Sequence, residues 1–127
     1  MQPAAIAGPI FLVAIAAGKF QGVISIETPI GWYNILAEFL EQVTAFEGWF
    51  KIVQIKEKFG GLRIYIDTED DIPEKMRAMI EGLISETEFK ANRVCHDCGC
   101  SIDRNNTIKH RFYVLCDKCS VRKSEAQ

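Results

Sequence analysis

The sequence predicts an α+β fold: a helix, a β-hairpin, a second helix, and then a small C-terminal module built around cysteines. Three observations predict it. Apolar residues recur with a helical period from Trp32 to Val43. Two β-rich arms flank Gly60-Gly61. Four of the five cysteines form two C-x-x-C pairs separated by 17 residues.

The chain begins with an apolar stretch. Residues 4–17 carry no charge, and the first charged side chain is Lys19. The run is shorter than the ~20 residues a membrane-spanning helix needs. It has the length of a signal-peptide core, and Ala14-Ile15-Ala16 resembles a cleavage site, but no Lys or Arg precedes it. Its plain reading is a buried helix or strand. An export signal or a segment in contact with a membrane surface is the competing one.

Pro29-Ile30-Gly31 punctuates the end of that segment. Trp32, Ile35, Leu36, Phe39, Leu40 and Val43 then fall at i, i+3, i+4, i+7, i+8 and i+11. That is the stripe of an amphipathic helix over about 32–46. Glu38, Glu41 and Gln42 lie off the stripe. Gly48 ends the helix or its following turn.

The hairpin is "FKIVQIKEKFGGLRIYID". β-branched and aromatic residues fill both arms, and Gly60-Gly61 suits a two-residue turn with positive φ. That turn pairs Phe59 with Leu62, Glu57 with Ile64 and Ile55 with Ile66. With Val53 they make an apolar face for the helix. Gln54, Lys56, Lys58, Arg63, Tyr65 and Asp67 share the other face, with Lys58 opposite Arg63 and Lys56 across from Tyr65.

An acidic link follows. Asp71-Ile72-Pro73-Glu74 reads as a capping-box variant with proline in the first turn. Met76, Met79, Ile80, Leu83, Ile84 and Thr87 line one side of a second helix ending near Lys90. Trp32, Ile35, Leu36, Phe39, Leu40, Ile55, Leu62, Ile64, Ile80 and Leu83 should form one core. A strand over 108–115 delivers the second cysteine pair. The chain therefore divides into an N-terminal segment (1–29), an α-β-β-α unit (30–90), a cysteine module (91–123) and a tail (124–127).

The spacing C-x2-C-x17-C-x2-C is that of a zinc-ribbon-like module. Each pair sets two sulfurs on one tight turn, and a returning strand brings the turns together. Four thiolates then surround one ion, and Zn²⁺ favours that tetrahedral sulfur environment. Cys95, Cys98, Cys116 and Cys119 are the expected ligands. Cys100 is an alternative to Cys98, which is favoured because it keeps the pairs symmetric. Four protein ligands leave no open position for water, so the single Zn²⁺ is expected to be structural. Disulfides are the competing reading. A thioredoxin-like redox pair would need one C-x-x-C at a helix start after a strand. His96 and His110 read as surface histidines or as support for the ligands.

Charge is asymmetric. Residues 1–89 carry seven Lys/Arg against thirteen Asp/Glu, a balance of −6, and residues 90–127 carry eight against four, a balance of +4. Four thiolates and one Zn²⁺ would reduce the second balance to about +2. Lys56, Lys58, Arg63 and Tyr65 on the hairpin, and Arg111 beside Phe112 and Tyr113, are the candidate nucleic-acid contacts. The acidic first part suits instead a protein partner. No specific catalytic constellation occurs, and an enzyme is not expected.

Three stretches together resemble a family of small proteins encoded by bacteriophages and prophages. They are "GWYNIL" at 31–36, "VQIKEKFGGLRIYID" at 53–67, and "CHDCG" with "LCDKC" at 95–99 and 115–119. The resemblance covers about residues 30–120, and its middle motif is the most specific. It implies an α+β unit followed by a zinc-binding module, and the cytoplasm of a bacterial host with reduced cysteines. It lends no activity. The function expected is that of a non-catalytic, zinc-binding accessory protein of phage type that engages nucleic acid or a host protein. No small-molecule substrate is inferred.

Overall fold

The computed structural model describes residues 25–103, 107–110 and 113–125, with side chains over 27–103 and 114–122. The expectations for residues 1–24 and for Arg111 lie outside the described residues.

The fold is α+β. A strand β1 (Ser25–Glu27) leads through a 3-10 turn (Ile30–Trp32) into helix α1 (Tyr33–Gln42), which tightens into a second 3-10 turn (Val43–Phe46). Strands β2 (Phe50–Lys58) and β3 (Gly61–Thr68) make the hairpin, and helix α2 spans Glu74–Ala91. Strands β4 (Thr107–His110) and β5 (Tyr113–Cys116) form a second hairpin, followed by helix α3 (Asp117–Glu125). The main sheet has the order β1-β2-β3. β1 pairs parallel to β2, as a strand can when a helical crossover joins the two. β1 is an addition to the elements expected, because three residues are too few to show a period. The single strand expected over 108–115 is instead the two strands β4 and β5.

The hairpin turn differs from expectation. Phe59 and Gly60 occupy it, with φ of 55° and 89°, the positive pair of a type I′ turn. The Gly60 N–H donates to the Glu57 carboxylate at 2.6 Å, which fastens this turn. Pairing therefore runs Glu57 with Leu62, Lys56 with Arg63, Ile55 with Ile64 and Gln54 with Tyr65. The register is offset by two residues from a Gly60-Gly61 turn. An offset of two keeps each of these side chains on its face, since strand side chains alternate with period two. A bulge between Ile52 and Gln54 then breaks the alternation. It turns Ile52 into the core and leaves Val53 half-buried.

Core membership follows the stripes with three changes. Tyr33 is buried and Ile35 only half-buried, so the buried face of α1 is Trp32, Tyr33, Leu36, Phe39, Leu40 and Val43. Met79 is 52% exposed. Ile72, Ile80 and Thr87 are buried under α2, with Leu83 and Ile84 packed against the core. The capping box does not form: Pro73 is the N-cap and makes no side-chain cap bond. Ile72 is instead the anchor of that link.

β3 is a sheet edge. Counting from the turn, Ile55 and Ile64 form a pair whose N–H groups point away from each other. The outward Ile64 N–H donates to Glu88 of α2 at 3.2 Å. The helix thus covers an edge that would otherwise template aggregation.

Candidate metal centre

The sulfurs are placed by two local structures. Cys95 and Cys98 sit on a turn closed by the Gly99 N–H donating to the Cys95 carbonyl at 3.0 Å and the Cys95 N–H to the Cys100 carbonyl at 2.8 Å. The Asp97 N–H points at the Cys95 Sγ, 3.4 Å away. Cys116 ends β5 and Cys119 lies in the first turn of α3. Cys116 therefore stands where an N-cap does, and its sulfur accepts the Cys119 N–H. That bond favours the thiolate and pulls Cys116 down to about 6. Burial pushes Cys119 up, and pushes Cys100 up to about 12.

The four Sγ atoms of Cys95, Cys98, Cys116 and Cys119 all lie within 4.8 Å of one another and could hold a metal ion. Cys98 and Cys116 approach to 3.9 Å. Four sulfurs ~2.3 Å from a central ion in a tetrahedron would be ~3.8 Å apart. All five cysteines are free thiols, and Cys100 stands outside the group of four. Cys95, Cys116 and Cys119 are buried and Cys98 is at the surface.

His96 does more than a surface or supporting histidine. It is 2% exposed, and three distant stretches meet on it. Its carbonyl accepts the Gly31 N–H at 2.7 Å, and its N–H donates to the Val114 carbonyl at 2.8 Å. Its Nδ1 accepts the Val114 N–H at 3.3 Å. Its ring donates to the Gly60 carbonyl in the hairpin turn, and burial holds its pKa below the ordinary value. With Nδ1 accepting, the proton belongs on Nε2. The Trp32 ring meets it edge-on, with centroids 5.0 Å apart. His96 thus ties the start of α1, the hairpin turn and β5 to the cysteine turn. Gly31 permits this approach, because a Cβ there would lie 2.6 Å from the His96 carbonyl oxygen and still nearer that of Cys95. The signal in the sequence is the set of short motifs itself: "GW", "FGG" and "CHDCG" each contribute one side of this junction.

The outward face of the hairpin carries Lys56, Lys58, Arg63 and Tyr65 as expected, with altered pairing. The like-charge pair is Lys56 opposite Arg63, and Glu27 of β1 flanks Lys56 on its other side. Lys56 Nζ lies 5.9 Å from the Tyr65 ring centroid. Lys90, counted with the basic C-terminal set, pairs with Glu38 of α1 at 3.4 Å.

Lys58 and Arg63 also border a cleft of about 780 Å³ between the hairpin tip, the end of α2 and the cysteine module. Arg93 and Phe89 form its helix wall, with the guanidinium 4.3 Å from the ring centroid. Asn92 and Asp103 add polar groups. Phe59 stands at the lip, 70% exposed. A bulky residue at positive φ is an outlier that costs ~1–3 kcal/mol. Phe59 bears that strain with its ring mostly in water.

Among the described residues, no helix is long and apolar enough to cross a membrane. Comparison with protein-family models, curated proteins and solved structures finds no match to the chain.

Proposed function

We propose that this chain is a non-catalytic zinc-binding accessory protein of phage type, acting in the cytoplasm of a bacterial host, and that its partner is nucleic acid. One observation carries the metal: four cysteine sulfurs within 4.8 Å of one another. Soft thiolates at that spacing suit Zn²⁺, and four of them close its coordination, so the ion is a staple and takes no part in chemistry. The second pair does sit at a strand-to-helix junction, as a redox pair would. Both of its thiols are buried, however, and Cys98 reaches Cys116 from the other turn. A catalytic thiol needs access, and here the first pair occupies the approach. The module so closed is of zinc-ribbon type: two cysteine turns joined by a β-hairpin.

The partner reading rests on Lys56, Lys58, Arg63 and Tyr65 sharing one sheet face that no described element covers, with Arg93 beside them across the cleft. A basic strand face with aromatic rings is a backbone-binding surface. The acidic remainder of the chain repels a polyanion over ~8 Å at physiological salt, so binding is weak and fades steeply as salt rises.

Two measurements test this. Protein purified under reducing conditions should contain one zinc per chain, and metal-free protein with two disulfides would refute the staple. Titration with short oligonucleotides at low and physiological salt should show salt-sensitive binding that Lys58→Glu with Arg63→Glu abolishes. No binding even at low salt would turn the reading toward a host-protein partner.

A further inference from the structure

Resting on that nucleic-acid reading, we infer that the cleft between the hairpin tip, the end of α2 and the cysteine module is a binding site for a single-stranded nucleic acid, with an unpaired base held against Phe59 or Phe89 and its phosphates against Lys58, Arg63 and Arg93. Three features of the cleft point this way.

The first is charge. Three cations and one carboxylate, Asp103, line it among the described residues, so it attracts an anion although the protein as a whole carries −2. The second is the pair of aromatic rings. Phe59 and Phe89 are 70% and 56% exposed, and each has a cation of the same cleft beside it, Lys58 at 5.9 Å and Arg93 at 4.3 Å. A ring with an adjacent guanidinium or ammonium offers a base its flat face and the phosphate its charge in one place. Neither ring belongs to the core, and the backbone holds Phe59 at φ 55°, where glycine or asparagine would sit without strain. An exposed ring at that position is open to a ligand. The third is shape. A volume of about 780 Å³ lies within the ~300–1,000 Å³ of ordinary small-ligand pockets. Walls on three sides admit a splayed nucleotide. They exclude the paired bases of a duplex, which could meet only the outer sheet face through its phosphates. Asn92 supplies an amide donor and acceptor for a base edge.

Fluorescence anisotropy with labelled oligonucleotides, single-stranded and duplex, at low salt tests the inference. Zinc-loaded wild-type protein should prefer the single strand. Phe59→Gly and Phe89→Ala should each weaken single-strand binding by about 5- to 100-fold, the range of one lost base–aromatic stack, and leave duplex binding unchanged. Phe59→Gly relieves the positive-φ strain of the turn, and a thermal melt of each variant separates loss of binding from loss of folding. Arg93→Glu should weaken binding as well and flatten its salt dependence. Equal affinity for duplex and single strand, or indifference to both ring substitutions, would overturn the cleft while leaving backbone binding by the sheet face intact. Absence of binding to either oligonucleotide would overturn both.

Discussion

The α-β-β-α unit and the cysteine module are held together by different physics. In the first, fourteen buried residues form one apolar cluster from Trp32 to Ala91. In the second, the buried cluster among the described residues is Cys95, Leu115, Cys116 and Cys119, with Ile102 packed against it. Three of the four members of that second cluster are cysteines, so its described centre holds sulfur where the first unit holds hydrocarbon. The module's four clustered thiols could hold a metal ion, and metal binding would then supply folding free energy to the module. A fold written in apolar periodicity tolerates change at the surface. A fold written in ligand spacing fails when any ligand is lost.

Removing a ligand should therefore produce the largest effect. Structural zinc contributes an apparent ~10–16 kcal/mol at neutral pH to small domains of this kind. Cys116→Ser should lose the metal and melt β4, β5 and α3, with the hairpin and both long helices retained. Zinc content together with amide proton spectra would show it. Cys100→Ser should leave the zinc in place, since Cys100 stands outside the group of four. A module that stays folded with no metal would break the comparison. The converse is Leu36→Ala. Leu36 is fully buried in the core, and its truncation should cost ~2–5 kcal/mol. Urea unfolding would measure that loss, while the fraction still folded should bind zinc as before.

The two regions meet on His96, where a smaller substitution should affect both. Gly31→Ala places a methyl group against the carbonyls of Cys95 and His96. Relieving that clash should cost ~1–3 kcal/mol. The strain falls on the cysteine turn as much as on α1, so urea stability and zinc affinity should drop together. An effect on stability alone would mean that the two regions are energetically independent.

The same contrast explains which features are legible in the sequence. The α1 and α2 stripes are legible because burial on one face repeats every turn. The two cysteine pairs are legible because their spacing matches that of a metal-binding module. The hairpin is legible as a hairpin, but its register is not. Phe59-Gly60 and Gly60-Gly61 differ by local turn chemistry, and the Glu57 carboxylate that fastens the observed turn carries no periodic signal. β1 is too short to show alternation, and the bulge at Val53 is a break in it. The site suffers most from this limit. His96 acts through one ring and two backbone bonds to partners 18 to 65 residues away, and Phe89 and Arg93 face the cleft from a helix end. Such residues declare themselves only when the chain is folded, because their partners are distant in sequence.

The smallest predicted effect sharpens the comparison from the other side, by changing one region with no consequence for the second. Gly82 lies in the middle of α2 on its exposed face. A Cβ there would meet nothing within 4 Å. No close approach and no positive φ at that position requires glycine, so its backbone freedom is only an entropic cost. Alanine removes that cost, ~1 kcal/mol in a helix interior. Gly82→Ala should therefore raise the urea midpoint of the α-β-β-α unit. Gly82 is remote in the chain from His96 and the cysteine turns, so zinc affinity should remain at the wild-type value. A gain in both would show that stabilising α2 tightens the junction at its far end, where Asn92 and Arg93 adjoin the module, and that the helix transmits stability between the two regions.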